Sequence, residues 1–332
     1  MRRVSVADIM RETGLSRATV DRVLNRRGSV HPRTRAVVEE TLGRLSSPGG
    51  EVALTPVADI AMRVGKGMMT QMRQAWAAAD VRGIFEDLHL ASEEAVLRRV
   101  EGLCRDVTRP LILTAKNSDR LTAVLRQARG RGKRIIAMVS DLAPAARDGF
   151  VGIDDRAAGQ TAAFLIGRML GDRPTTVGVV LGNSAFRCHE DREIGFRTGL
   201  RANFPKVVLA AEAQGEDSAE LTREAVARML RAQPALAAIY NVGGGNVGLV
   251  EALRQTGRAG DVLIVGHEAN NVTLPLLRDG GMDFVIASPQ KALLDEALRR
   301  ATSPAEAPQP DQTLVDFGVY TRFNLPSFSG AA

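Results

Sequence analysis

The chain has 332 residues, 45% hydrophobic, 25% charged and 4% aromatic, with a formal net charge of +6. That length and apolar content suit two or three lobes with real cores, and two cysteines, Cys104 and Cys188, exclude a disulfide scaffold and fit a reducing compartment. No apolar run approaches membrane-spanning length and Met1 to Thr13 holds no apolar signal core, so the expectation is a cytoplasmic protein with no membrane partner.

The first predicted elements are short helices. Val6 to Thr13 carries Val6, Ala7, Ile9 and Met10 as its apolar positions, and Gly14 stands where a left-handed glycine ends a helix. Ser16 can cap a second helix, Ser16 to Asn25, in which Val20, Val23 and Leu24 repeat at i, i+3, i+4. Its other face shows Arg17, Ala18, Asp21, Arg22 and Asn25. Helix, glycine turn and capped helix is the pattern of a helix-turn-helix, although two surface helices of an α-helical cap give the same spacing. After a polar turn at Arg26 to Ser29, Pro32 suits the first turn of a third helix with Val37, Val38, Leu42 and Leu45 on one side. Residues 1–45 hold ten Arg against five acids, which is +5 of the +6. Excess positive charge this local is what phosphate contacts need.

Ser46 to Pro56 reads as a linker, since Ser46-Ser47-Pro48-Gly49-Gly50 holds no regular structure. From Ala58 apolar runs alternate with helical stretches. The strand candidates are 58–64, 81–88, 110–115, 134–140, 176–182, 207–213, 236–241, 262–268 and 283–288. Repeated βα units mean parallel sheets covered on both faces, and so many strands point to two doubly wound lobes, with the break placed at the loop from Asp141 to Gly149.

Ligands of such folds bind beyond the carboxyl ends of the strands. Asp141, Asn241 and Glu268 stand at such ends, and Arg192 lies in the helix after the strand ending at Gly182. Two acids, an amide and a guanidinium supply donors and acceptors for a polyhydroxylated molecule, although each alone is as readily a loop cap. Phe186, Arg187 and His189 precede Arg192 and are candidates to line the cleft, and Arg187 and Lys66 suit an anionic ligand or are solvated loop charges. A rival lies at Gly243 to Gly248, which fits Gly-x-Gly-x-x-Gly after a strand, with Glu268 at the end of the next one. That is a dinucleotide fingerprint and keeps a nicotinamide-dependent oxidoreductase as the alternative. No other catalytic set stands out. His31, His89, His189 and His267 lack metal-ligand spacing, and Cys188 beside His189 reads as a small loop residue. The expectation is no enzyme, no metal and no cofactor.

Val4 to Ile9, Gly14 to Asn25 and Arg33-Thr34-Arg35 with Val37 and Val38 together resemble the DNA-binding headpiece of the LacI/GalR family of bacterial regulators. Nearly all of residues 58–326 resembles that family's periplasmic-binding-protein-like effector domain. The resemblance implies a small all-α helix-turn-helix domain (1–45), a linker (46–57) and an α/β two-lobed effector domain of doubly wound parallel sheets (58–326). It implies a ligand-responsive repressor, with Arg17, Ala18 and Arg22 facing base edges of operator DNA and Ser5, Ser16, Thr19, Asn25 and His31 on phosphates. It also implies a homodimer and an effector, a sugar, polyol or sugar acid, held by Asp141, Phe186, Arg192, Asn241 and Glu268. Departures are Asp21 where the family usually has Ser, Glu268 for its Asp, Ala287-Ser288 for its Gln-Asp, and Asp217 where some members place a stacking Trp. The linker lacks the usual hinge run, with Leu54 the one candidate minor-groove wedge.

Overall fold

The structure is a computed structural model that describes residues 5–25, 30–45, 56–303 and 310–326. The chain divides into two compact units, residues 1–56 and 57–332. The expected turn at 26–29 and most of the expected linker, Leu54 included, lie outside the described residues.

The first unit holds helices α1 (Val6–Thr13), α2 (Arg17–Leu24) and α3 (Pro32–Leu45). Ser5 caps α1 in a reciprocal box: its hydroxyl accepts from the Asp8 N–H, and the Asp8 carboxylate accepts from the Ser5 N–H at 3.0 Å. Gly14, at φ +67°, ends that helix in the left-handed region. The Ser16 hydroxyl accepts from the Thr19 N–H and starts α2. Val6, Ile9, Val20, Val23 and Val38 form the core that these caps orient.

The second unit begins with β1 (Asp59–Met62), α4 (Lys66–Ala78), β2 (Phe85–Asp87), α5 (Glu93–Leu103), β3 (Leu111–Thr114), α6 (Asp119–Gly130), β4 (Ile135–Met138) and β5 (Gly149–Gly152). It continues with α7 (Asp155–Leu170), β6 (Thr175–Leu181), α8 (Arg187–Asn203), β7 (Val207–Gln214), α9 (Ala219–Ala232), β8 (Leu236–Asn241), α10 (Asn246–Gln255) and β9 (Leu263–His267). Last come α11 (Thr273–Arg278), β10 (Phe284–Ala287), α12 (Gln290–Thr302), β11 (Gln312–Leu314) and β12 (Gly318–Tyr320).

The strands make two six-stranded sheets, in the orders β11-β5-β4-β3-β1-β2 and β12-β10-β9-β8-β6-β7. Every described pairing is parallel except that of β12 with β10. Alternate residues along each strand feed opposite faces. In the first lobe Ala61, Leu113 and Ala137 pack under α5 and α6, while Ile60, Ile112 and Met138 pack under α4 and α12. In the second, Val179, Tyr240 and Val265 meet α7 and α8, while Val180, Ile239 and Ile264 meet α9 and α10. Burial on both faces is why these strands read as continuous apolar runs.

The chain passes between the lobes three times, at Ile153–Asp154, Ser288–Pro289 and Val315–Phe317. The break therefore falls later than the expected loop 141–149, because Gly149–Gly152 pairs with β4 as β5 and stays in the first lobe. The candidate 81–88 shortens to Phe85–Asp87, an edge strand with a half-buried pattern. The two lobes also share a register of backbone strain. Val139 follows β4 at φ +69° and Glu268 follows β9 at φ +66°, at equivalent places in the two sheets. Non-glycine residues held in this region mark places where the surrounding structure overrides local preference, and such places cluster at functional sites.

Candidate functional site

In each sheet the winding reverses once, between β1 and β3 and between β6 and β8, so the loops there open outside the strand ends. The lobes touch across these loops. The Asn117 N–H donates to Ala185 O at 2.9 Å, Gln71 Nε2 to Ala269 O at 2.9 Å, and the Cys188 N–H to Ser140 Oγ at 3.4 Å. Lys116 Nζ stands 5.8 Å from the centroid of the Phe186 ring, one residue from each lobe.

Behind these contacts lies a buried charge cluster. Arg192, on α8, is 3% exposed. Its Nε donates to Asp155 Oδ1 at 2.7 Å, its Nη1 to Val242 O at 3.1 Å and its Nη2 to Glu268 Oε1 at 3.3 Å. Glu268 also accepts from Ser288 Oγ at 3.2 Å and from Gln290 Nε2 at 2.9 Å, and its backbone oxygen accepts from Thr273. Three bonds occupy three of the five guanidinium N–H groups. Burial pushes the Asp155 carboxyl up to about 7 against the pull of Arg192, and burial likewise raises Glu268. Beneath them Tyr240 Oη and His267 Nε2 are 2.7 Å apart, and burial holds His267 neutral well below its ordinary value. One cation bonded between two buried carboxyls makes a set of donors and acceptors, the kind of surface that hydroxyl groups match.

Of the residues singled out in the sequence, Arg192 and Glu268 meet directly and Phe186 sits at the lobe boundary. Asp141 is turned elsewhere: its carboxylate takes Arg147 Nε at 2.5 Å, and Arg147 also binds Asp311 Oδ1 at 2.6 Å. Asn241 is fully buried and spans its own loop, with Nδ2 donating to Gly244 O at 2.7 Å and Asn246 Oδ1 at 2.9 Å. Arg187 is half exposed and lies 3.5 Å from Asp191, and Lys66 is exposed. Asp155, Ser288 and Gln290 were missed. In sequence Asp155 is an acid at a helix start with nothing to set it apart, and Ser288 and Gln290 join Glu268 only through the crossing of the chain.

The dinucleotide reading is corrected by the same geometry. Asp217 Oδ1 accepts from the Gly244 N–H at 2.7 Å and would lie 2.3 Å from a Cβ on Gly243, so a carboxylate already fills the loop where a pyrophosphate would sit. Gly248 is small because α9 crosses there, with Ala219 O 1.7 Å from where a Cβ would stand. Glu268, the intended ribose acid, is held by Arg192.

In the first unit Ser5 and Ser16 spend their hydroxyls on caps, Asn25 ends α2, and Thr19 is half-buried beside Ser16. Arg17, Ala18, Arg22 and His31 are exposed, with Arg22 Nε donating to Ala18 O at 3.1 Å.

Two crossed-over parallel sheets with a polar cluster at their strand ends define a two-lobed binding protein of the periplasmic type. The chain belongs to the periplasmic binding protein domain family, whose sequence pattern matches residues 110–303, more than half of it. It is 28% identical over 211 residues to a D-ribose/D-allose-binding protein of Pseudomonas aeruginosa, which is 60% of this chain and 62% of that protein. The chain therefore spans less than two thirds of that relative's length. A glucose-galactose binding protein from Geobacillus stearothermophilus superposes with a TM-score of 0.72 at 16% identity, over 81% of this chain and 98% of that one. A solute-binding protein from Burkholderia graminis in complex with D-arabinose does so with a TM-score of 0.73 at 18% identity, over 83% and 99%. Likeness at these identities shows the fold. The matched proteins are binding proteins and not enzymes.

These matches overturn the expected LacI/GalR-family regulator, and with it the operator DNA, the homodimer and the role of repressor: what the chain matches are solute-binding proteins. The family's description is of periplasmic proteins, against the cytoplasmic placement expected from the amino terminus. Two serine caps around a left-handed glycine are a backbone solution for joining short helices, and that solution specifies no partner.

Proposed function

We propose that the second unit binds a small neutral sugar or polyol between its lobes. The observation that carries this is the Arg192–Glu268 pair at the strand ends, buried and bonded, held by Ser288 and Gln290 at a chain crossing. Phe186 and Lys116 close the space from opposite lobes. The ligands named for the relatives, D-ribose, D-allose and D-arabinose, belong to the class the site suits. Asp141 and Asn241 shape the adjoining loops.

We infer the division into a three-helix unit at 1–45, a linker at 46–57 and a ligand-binding unit at 58–326. A helix-turn-helix fold for the first is supported by Gly14 and the cap at Ser16.

Thermal unfolding of the full chain with D-ribose, D-allose, D-arabinose, myo-inositol and D-galactose tests the function. A ligand at a hundred times its Kd adds about 2.7 kcal/mol, which at this chain length raises Tm by several degrees. A shift with one of these supports the reading, and no shift with any of them at 10 mM, as an order-of-magnitude ceiling, overturns it.

A further inference from the structure

We propose that Asp155 is a positioning residue for ligand binding: it fixes the Arg192 guanidinium by its Nε edge, so that the remaining nitrogens face Val242 and Glu268 and the ligand space. This rests on the reading of the site as a sugar site.

Four observations carry it. Asp154 and Asp155 divide two tasks at one helix start. The Asp154 carboxylate caps α7 by accepting from the Ala157 N–H at 2.9 Å, which leaves Asp155 for Arg192 Nε at 2.7 Å. The separation of the two helices at this point is set by backbone. A Cβ on Gly159 would stand 2.0 Å from Arg192 O, and one on Gly195 would stand 2.1 Å from Arg156 O. Glycines on both helices thus let α7 and α8 meet main chain to main chain beside the ion pair. Both side chains are buried, with relative exposures of 4% and 7%, so the pair has no other geometry to relax into. Lastly, α7 begins directly after the first lobe crossing, so Asp155 ties the orientation of Arg192 to the strand that joins the lobes.

The charged and titratable groups around the pair come from four elements. Asp155 faces Arg192, Asp191 and Glu268. Arg192 also faces Cys188 and Tyr240, and it acts on His189 and His267. An ionised Asp155 grips Nε by a charge-assisted bond, whereas a neutral one grips it more weakly.

The test uses the full chain, with the sugar panel above titrated calorimetrically at pH 6, 7 and 8. D155A is expected to weaken sugar binding at least tenfold although Arg192 and Glu268 are intact. D155N, whose amide oxygen still accepts from Nε, is expected to recover most of that loss. Wild-type affinity is expected to rise across this pH range and that of D155N to stay flat. D155A binding as wild type does, or D155N keeping the wild-type pH step through His189 or His267, overturns the proposal. If no sugar binds the wild type, the function proposed above fails, and the positioning is read instead from urea unfolding of D155A, R192A and the double variant. Losses that simply add overturn it; a double variant no worse than the poorer single one supports it.

Discussion

Arg192 and Glu268 lie 76 positions apart in the chain and meet at 3.3 Å, one from the second turn of α8 and the other from a left-handed residue beyond β9. Their contact joins two loops that the sequence keeps apart, and Asp155 completes the charge balance from behind.

Removing the cation should therefore cost more than a contact. R192A leaves two buried carboxyls without their partner, and breaking a buried pair this way costs about 3–5 kcal/mol. Urea unfolding of R192A is expected to show that loss, together with loss of any sugar-induced shift in Tm. A variant as stable as wild type that still responds to sugar refutes the assignment.

The pH dependence follows from the sign of the Asp155 displacement. Its ordinary value of 3.8 is raised to about 7, so its contribution to stability is complete below the unfolded value and is lost as pH rises through 7. Burial depresses His267, which acts in the opposite sense and weakens the fold as pH falls below its ordinary 6.5. Comparing D155N with wild type cancels the histidine. The stability of D155N relative to wild type should rise as pH increases from 4 to 7 and level off above 7, in urea unfolding at fixed ionic strength. A constant difference refutes the shift.

The glycine-rich loop makes a sharper case. Gly245 sits at φ +81° with Thr222 Oγ1 2.1 Å from where a Cβ would go, and Gly248 meets Ala219 backbone at 1.7 Å. G248A should lose about 3 kcal/mol, the upper end for overpacking, since a clash with main chain cannot relax by a rotamer change. G245A adds left-handed strain of about 1 kcal/mol to a side-chain clash. NAD at millimolar concentration should leave the wild-type Tm where it is, because Asp217 fills the loop.

At the amino end, S16A removes the hydroxyl that accepts from the Thr19 N–H. Caps of this kind are worth about 1 kcal/mol. Circular dichroism of residues 1–56 in the variant, against the same fragment of wild type, should show lower helicity and an earlier thermal transition.

Much of this fold was legible because its strands are buried on both faces. Ile60 to Met62, Leu111 to Leu113 and Ile135 to Met138 are apolar throughout, as strands of a sheet covered on both faces are. β5 was hidden, since Gly149-Phe150-Val151-Gly152 reads as a turn until the Ile135 strand beside it is in place. Glu268 stands just past a strand end and Arg192 in the helix that follows one, and both were found there. Asp155 and Gln290 were not, because what places them is a crossing between lobes, and crossings leave no periodicity. Asp141 and Asn241 have the right chemistry at the right kind of position, yet Arg147 and Gly244 claim them first.

The three crossings also govern the order in which this protein can be made. The first lobe's sheet is covered on one side partly by Leu293, Leu294, Ala297 and Leu298 of α12, and one of its two edge strands is Gln312–Leu314. A ribosome delivers those residues after every strand of the second lobe except Gly318–Tyr320 has emerged. The earlier-made half must wait, with Ile60, Ile112 and Met138 covered on that face by α4 but not yet by α12, for the chain to come back from the second lobe.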